Sequence, residues 1–404
     1  MYLTKEEEKM LSGEYGPGIQ KSMEILTAIG EINKATKMIK IESSHISGSS
    51  YKEAGDTGIR LLELMSTSHV QVPTTLSSIG IDTDRWKEMK IPQYYVNKQF
   101  KMLDLYKKIE IVSTCTCTPY LSGNVPRFGQ HIAWTPSESI IAANSLFAAM
   151  TNRESDVTAL ASAICGRTPE YGYHLKENRK GEVLVKVESD LRDISDYGVL
   201  GYHVGKIVGS KNPVFQGLPQ YLNVEQLKLL GASLATSGAV ALYHILGVTP
   251  EALTTDVEKD VKEKITVDKN DITRTYELLS SSADEKIDIV SIGCPHCSIE
   301  EIRYVSALLQ NRKVAKGVCL WVCTSPAVRA IADKMGFTET IQKAGGMLLS
   351  GVCPHMMSNE IYETKIVATN SPKAAHYVPE LCGVPVHFGN TRKCIDAAIS
   401  GRWS

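Results

Sequence analysis

The sequence predicts a multi-domain α/β protein whose sheets are mostly parallel and flanked by helices. Three observations carry that prediction. From about Lys286, strand-type runs alternate with helical patterns, as βαβ units require. Shorter β-type runs separated by amphipathic segments recur earlier in the chain. The 404 residues also exceed one ordinary domain at ~100–200 residues each. Breaks in the pattern divide the chain into expected regions 1–112, 113–285 and 286–404.

Taken in order, Thr4 and Glu7 form a capping box ahead of KEEEKML, and Gly13 is placed to end that helix. Ile19, Met23, Leu26 and Ile29 share one face of a second helix, which leads into the β-type stretch KMIKIESSHISGSSY. Further strands are expected at KKIEIVST and at GEVLVKVES, where Val183, Val185 and Val187 alternate with other residues. Between them SESIIAANSLFAAMTNR reads as a helix with Ile140, Asn144, Phe147 and Ala148 on one face. A long helix is expected from NVEQLKLL to about His244, followed by DVEKDVKEKITVDKNDITR, read as a charged, solvated connection between domains with an amphipathic helix as the alternative. The last region then reads KIDIVSIG strand, SIEEIRYVSALL helix opened by Ser298 and Glu301, and GVCLWVCTS strand. SPAVRAIADKMG, closed by Gly336, is a helix, and GMLLSGVCP and TKIVATNS are strands. In an open α/β sheet ligands bind beyond the carboxyl ends of the strands. Cys294, Cys353 and Thr369-Asn370-Ser371 each end an expected strand, so all three should face one rim.

Composition narrows the function. A formal net charge of −1 argues against nucleic acid or an anionic membrane as partner. With 43% hydrophobic and 22% charged residues the chain is an ordinary globular one. No run approaches the ~18–20 apolar residues of a membrane span, and MYLTKEEEKMLSG lacks an apolar signal core, so a cytoplasmic protein is expected.

Ten cysteines without a secretion signal point to thiols or metal ligands rather than a disulfide framework. Cys165, Cys319, Cys382 and Cys394 are read as packed core residues. GCPHCS, strand then CxxC then helix, has the layout of a thioredoxin-like thiol oxidoreductase, but that reading leaves the second cluster, STCTCTPY, without a role. One CxC and one CxxC far apart are a poor match to a structural zinc ribbon. Three separated cysteines in loops at strand ends would instead suit an iron–sulfur cluster with an open iron, a Lewis acid able to take a hydroxyl leaving group.

The motifs HISGSSY, CTPYLSGNVPRFGQHIAWTPSES, TNRES, GRTPEYGYHLKENR, GCPHCSIEEI, GVCPH and ATNSPKAAHY stand in the order and approximate spacing of the aconitase X family, which the chain resembles from about Leu3 to Trp403. The resemblance implies an aconitase-like core lacking the swivel domain, which a separate small subunit would supply together with the catalytic base. No catalytic residue is therefore assigned in this chain. It also implies a hydro-lyase acting on a small anionic substrate: dehydration of mevalonate 5-phosphate to trans-anhydromevalonate 5-phosphate in the archaeal modified mevalonate pathway, or of cis-3-hydroxy-L-proline. The two-polypeptide layout favours the first. Matching positions would hold an iron–sulfur cluster, 4Fe-4S or 3Fe-4S, through Cys117, Cys294 and Cys353, with Cys115 and Cys297 as flanking extra thiols. They would place substrate against Gly48, Ser49 and Ser50, Ser137 and Glu138, Ser371 and Lys373. Where the family often has Asn-Pro, this chain has Ser77-Ser78, which are assigned to the same cavity.

Each of these residues has a plainer reading. Ser49 and Ser50 beside Gly48 suit a turn, and Glu138 a helix dipole. Lys373 suits the surface, with Arg127 or Arg153 as rival cations. Asn144 and Asn152 suit local backbone bonding, and His131 and His174 ordinary hydrogen bonds. A scaffold subunit without chemistry is the non-enzymatic alternative.

Overall fold

The computed structural model describes residues 1–363 and 365–404. Every sheet but one is parallel. Near the amino terminus Thr74–Leu76, Ser44–Ile46 and Ala133–Trp134 form a three-stranded sheet in that order. A two-stranded antiparallel ribbon pairs Met38–Lys40 with Arg167–Pro169. A four-stranded sheet runs His244–Ile245, Pro213–Gln216, Val183–Val187, Glu263–Val267. The last is five-stranded, in the order Met347–Ser350, Cys319–Thr324, Ile289–Cys297, Val367–Thr369, Val386–Phe388. Helices cover these sheets, which is why strands such as Cys319–Thr324 and Val367–Thr369 are continuous apolar runs rather than alternating ones. Among the described residues no helix is long and apolar enough to cross a membrane.

Local chemistry sets the element ends. The Thr4 and Ser298 capping boxes form as expected, Glu7 and Glu301 each returning a bond to the cap backbone. Gly13 ends the first helix in the left-handed conformation. In the second helix, Pro17–Ile32, Met23 and Leu26 are buried together with Gly18 and Gly30, while Ile19 and Ile29 lie at the flank of that face.

Several expectations are corrected. KKIEIVST forms no strand: the helix Gln93–Lys108 is capped by Ile109, and Glu110 turns the chain at φ 69°, so the apolar residues there are buried by a turn. Only Val112 bridges, to Thr75. The helix at NVEQLKLL ends at Gly238, with Ala239 left-handed, because the apolar run to His244 is buried as loop and short strand. The helix Ser137–Leu146 likewise stops before Phe147 and Ala148. The charged segment from Asp256 to Arg274 is not a solvated connection; it supplies the edge strand Glu263–Val267 and the helix Lys269–Leu278, capped by Asp268. An edge strand tolerates charge because only one side is paired. Finally, Gly336 starts a second helix, Phe337–Ala344, rather than only closing Pro326–Lys334, and Cys319 is exposed. Cys165 and Cys394 are core residues as expected, and Cys382 is half-buried.

Two helices, Ile194–Val208 and Val224–Gly238, lie backbone to backbone. A Cβ at Gly238 would collide with the Gly205 carbonyl oxygen, and one at Gly205 would meet Ser237. Alanine favours helix over glycine by about 1 kcal/mol, so a stability loss in Gly238→Ala isolates the steric term; we expect a loss of about 1–3 kcal/mol, read as a lowered urea midpoint. An unchanged or raised midpoint would mean the helices can part at no cost.

Candidate functional site

The carboxyl rim of the five-stranded sheet gathers the chemistry. The register between Ile289–Cys297 and its neighbour shifts between Ile292 and Cys297, which throws Cys294 out of the ladder. Gly293, at φ 103°, is needed there: a side chain would strike the Cys323 carbonyl. Two strands away, Cys353 follows Gly351, and its N–H donates to the Ile79 carbonyl at 2.9 Å. Cys117 comes from the amino-terminal region, its loop tied to the first sheet by Thr116 N–H donating to the Leu76 carbonyl at 3.2 Å. The Ser139 hydroxyl donates to the Cys117 carbonyl at 2.8 Å.

The three thiols are electrostatic neighbours. Burial first, and then charge at Glu138 and Cys294, pushes Cys117 well above the usual thiol range. Burial, then Cys294 and Cys117, does the same to Cys353, and Cys294 is pushed up to about 11. Three thiolates this close are costly without a cation, so the donor set calls for bound positive charge. Among the described residues no three His, Cys, Asp or Glu side chains converge on one single-ion position. Thiolate sulfur is the usual ligand of iron–sulfur groups, so by ligand type the three cysteines suit one.

Beside the cysteines lies a cavity of about 200 Å³, lined by Ser77, Ser78, Glu138, Cys353 and Lys373 among others. Lys373 is carried in by the first turn of Pro372–Cys382, whose cap is Ser371, its hydroxyl accepting from Ala374 N–H at 3.1 Å. Lys373 and Glu138 form a buried ion pair, both 8% exposed, and the ammonium also donates to Ser137 Oγ at 3.2 Å. Burial works against both charges, but the pairing wins: Glu138 stays below the usual carboxylate range and Lys373 above the usual lysine one. Arg127 and Arg153 are exposed and line no part of this cavity, Arg153 donating instead to the Ala239 carbonyl at 2.8 Å.

The expected serines divide into two groups. Ser77 and Ser78 line the cavity. Ser49 and Ser50 spend their hydroxyls on the protein: Ser49 donates to the Ser78 carbonyl at 2.8 Å, and Ser50 to the Met356 carbonyl at 2.8 Å while capping Lys52. Gly48, at φ 68°, lies against Asp156, so this turn has backbone rather than hydroxyls to offer a ligand. Ser371 lies near enough to Cys294 to offset a little of the upward push of burial on that thiol. Asn144 satisfies Thr151 and Ala241 backbone groups, and His131 and His174 bond each other at 3.0 Å, as their plain readings expect.

Sequence reasoning missed Glu53, His296 and His355. Glu53 lines the same cavity, its carboxyl raised to about 7 by burial and then by Asp156. His355 Nε2 sits 3.1 Å from Cys353 Sγ, and its Nδ1 is buried without a partner. The available signal was the repeated tripeptide Cys-Pro-His at 294–296 and 353–355. The thiol oxidoreductase reading loses its chemistry here, because the attacking thiol would be Cys294, and burial pushes it up to about 11, the reverse of a reactive cysteine.

A parallel α/β core that brings cysteine loops from separate regions beside a buried Lys–Glu pair defines a multi-domain enzyme of aconitase type. Family models for the first, second and third domains of aconitase X match residues 1–177, 181–277 and 287–400, and the chain belongs to the aconitase X family. It is 45% identical to the phosphomevalonate dehydratase large subunit of Methanothermobacter thermautotrophicus, over 95% of each chain. To that of Methanocaldococcus jannaschii it is 44% identical over 100% of both. The cis-3-hydroxy-L-proline dehydratase of Pseudomonas aeruginosa is 32% identical over 98% of this chain and 70% of that protein. The crystal structure of Thermococcus kodakaraensis aconitase X in its holo-form superposes with a TM-score of 0.90 at 40% identity, covering 98% of this chain and 100% of that one. The chain is accordingly an enzyme of the hydro-lyase class.

Proposed function

We propose that the chain is the large subunit of a dehydratase that converts mevalonate 5-phosphate to trans-anhydromevalonate 5-phosphate in isoprenoid biosynthesis, working with a small subunit that carries the swivel domain. The observation that carries this reading is a cavity lined by Cys353 and by the buried Lys373–Glu138 pair, with Cys117 and Cys294 close enough to act electrostatically on Cys353. The kinship supports the substrate and the partner: identity is higher to chains named phosphomevalonate dehydratase large subunit, matched end to end, than to the hydroxyproline enzymes. Those enzymes extend well beyond the matched portion, and that extra length is where a fused swivel domain would sit.

Cys117, Cys294 and Cys353 are the ligands we assign to an iron–sulfur cluster, 4Fe-4S with 3Fe-4S as the oxidised remnant. When bound, the cluster supplies a Lewis acid toward the departing hydroxyl. The protein's own groups bind and orient. Lys373 holds an anionic substrate oxygen with a charge that Glu138 fixes in place. Ser137, Ser77 and Ser78 supply polar contacts around it, whereas Gly48, Ser49 and Ser50 are not among the residues lining this cavity. Ser371 steadies Cys294 through its hydroxyl. The base that removes the carbon-bound proton is left to the small subunit.

An anaerobic assay of the co-expressed pair with mevalonate 5-phosphate and cis-3-hydroxy-L-proline side by side tests the assignment. Turnover of the first, lost when either chain is omitted, is the expected result. Preference for the proline substrate overturns the pathway assignment, and full turnover by the large chain alone overturns the two-subunit one.

A further inference from the structure

His296 is 1% exposed and touches all three cysteine loops at once. Its ring Nδ1 lies 3.0 Å from Thr116 Oγ1, one residue before Cys117, and its Nε2 lies 2.8 Å from the Val352 carbonyl, one residue before Cys353. Its own chain carries Cys294 two residues earlier. A carbonyl only accepts, so Nε2 carries the proton and donates to Val352; Nδ1 then accepts from the Thr116 hydroxyl. Thr116 Oγ1 in turn accepts from Thr118 N–H at 3.2 Å, which closes the assignment. The main chain of His296 is spent the same way: its N–H donates to Cys117 Sγ at 3.3 Å, and its carbonyl accepts from Lys228 Nζ at 2.9 Å. Lys228 comes from the Val224–Gly238 helix and is itself paired with Glu301.

We propose that His296 is the positioning residue that sets the three cysteine loops in mutual register, its imidazole spanning the Cys117 and Cys353 loops from the loop of Cys294. An imidazole can do this because its two nitrogens point from opposite edges of a rigid ring, one donating and one accepting. A glutamine amide presents donor and acceptor from a single carbon and keeps at most one of the two links. The other Cys-Pro-His motif differs: the His355 ring contacts Cys353 of its own loop. The consequence for iron retention rests on the cluster assignment above; the register of the loops does not.

The test uses the full chain purified anaerobically with its partner, in His296→Leu, His296→Gln and Thr116→Val. After iron is stripped with a chelator, alkylation by iodoacetamide is followed at each cysteine by peptide mass spectrometry. Loss of one buried hydrogen bond corresponds to about tenfold in local opening, so Cys117 and Cys353 should label about tenfold faster in Thr116→Val and faster still in His296→Leu. His296→Gln should fall between wild type and His296→Leu. Cys165 and Cys394, buried elsewhere, should stay protected in all of them. If they too become reactive in His296→Leu, that variant has lost its fold and Thr116→Val decides. Wild-type labelling rates at Cys117 and Cys353 in Thr116→Val and His296→Leu overturn the proposal. A second readout, iron released to a chelator from the reconstituted complex, should quicken in the same order. Wild-type protein that never takes up iron would remove the cluster assignment, while the labelling rates would still decide the role of His296.

Discussion

Replacing Cys117, Cys294 or Cys353 by alanine, one at a time, is expected to yield a folded chain that retains no cluster and turns over at background, whereas Cys115→Ala and Cys297→Ala keep both. The contrast follows from which thiols sense one another. Charge at Cys294 and Cys117 raises Cys353, and charge at Cys294 raises Cys117, so these three share one electrostatic environment. Cys115 is pushed up to about 12 by burial alone, with no contribution from any thiol. Cys297 senses Cys294 but is packed among Ile302, Val305 and Val322, in an apolar environment that disfavours a thiolate. Lewis-acid stabilisation of several kcal/mol corresponds to about 10³-fold or more in rate. Iron and sulfide per chain after anaerobic reconstitution, with visible absorbance, separates the cases. Iron retained in full by any of the three single variants would remove that residue from the ligand set.

What the sequence made legible was whatever depends on near neighbours. The Thr4 and Ser298 caps are three-residue patterns and formed as read. The rim argument worked for the same reason: a parallel strand's carboxyl end is a local fact, and Cys294, Cys353 and Ser371 all follow from it. The segment from Asp256 to Arg274 misled because an edge strand carries its charges outward, so Glu263–Val267 looks like solvent-exposed chain until Val183–Val187 is beside it. His296 was invisible for a deeper reason. Its partners stand 180 residues before it and 56 after it, and nothing in GCPHC states that a ring will bridge them. Ser49 and Ser50 show the reverse case, residues expected at the cavity that are absent from its lining and whose hydroxyls are spent on carbonyls of neighbouring loops.

Lys373→Met is expected to cost twice, in stability and in substrate binding, and the two losses can be pulled apart. The Lys373 and Glu138 side chains are 10% and 8% exposed, so removing the cation strands a buried carboxylate, a change that typically costs about 3–5 kcal/mol. Replacing both partners, Lys373→Met with Glu138→Gln, leaves no stranded charge and should recover most of that stability. It should not recover turnover, because the group that holds the anionic oxygen is gone. The pH dependence has a definite sign. Glu138 is depressed in the folded state, so its contribution is present above the ordinary carboxylate pKa of about 4.3 and is lost as pH falls through its lower folded value. Lys373 is raised, so its contribution is whole below the ordinary lysine pKa of about 10.4 and is lost only as pH climbs past its higher folded value. The gap in urea midpoint between wild type and Lys373→Met should therefore be widest from neutral pH up to about pH 10 and narrow steadily as pH falls toward about 4.3, because burial raises the stranded carboxyl of the variant and it takes up a proton well before the wild-type pair does. A double variant as unstable as Lys373→Met would show that the single variant fails by lost packing rather than by an unpaired charge.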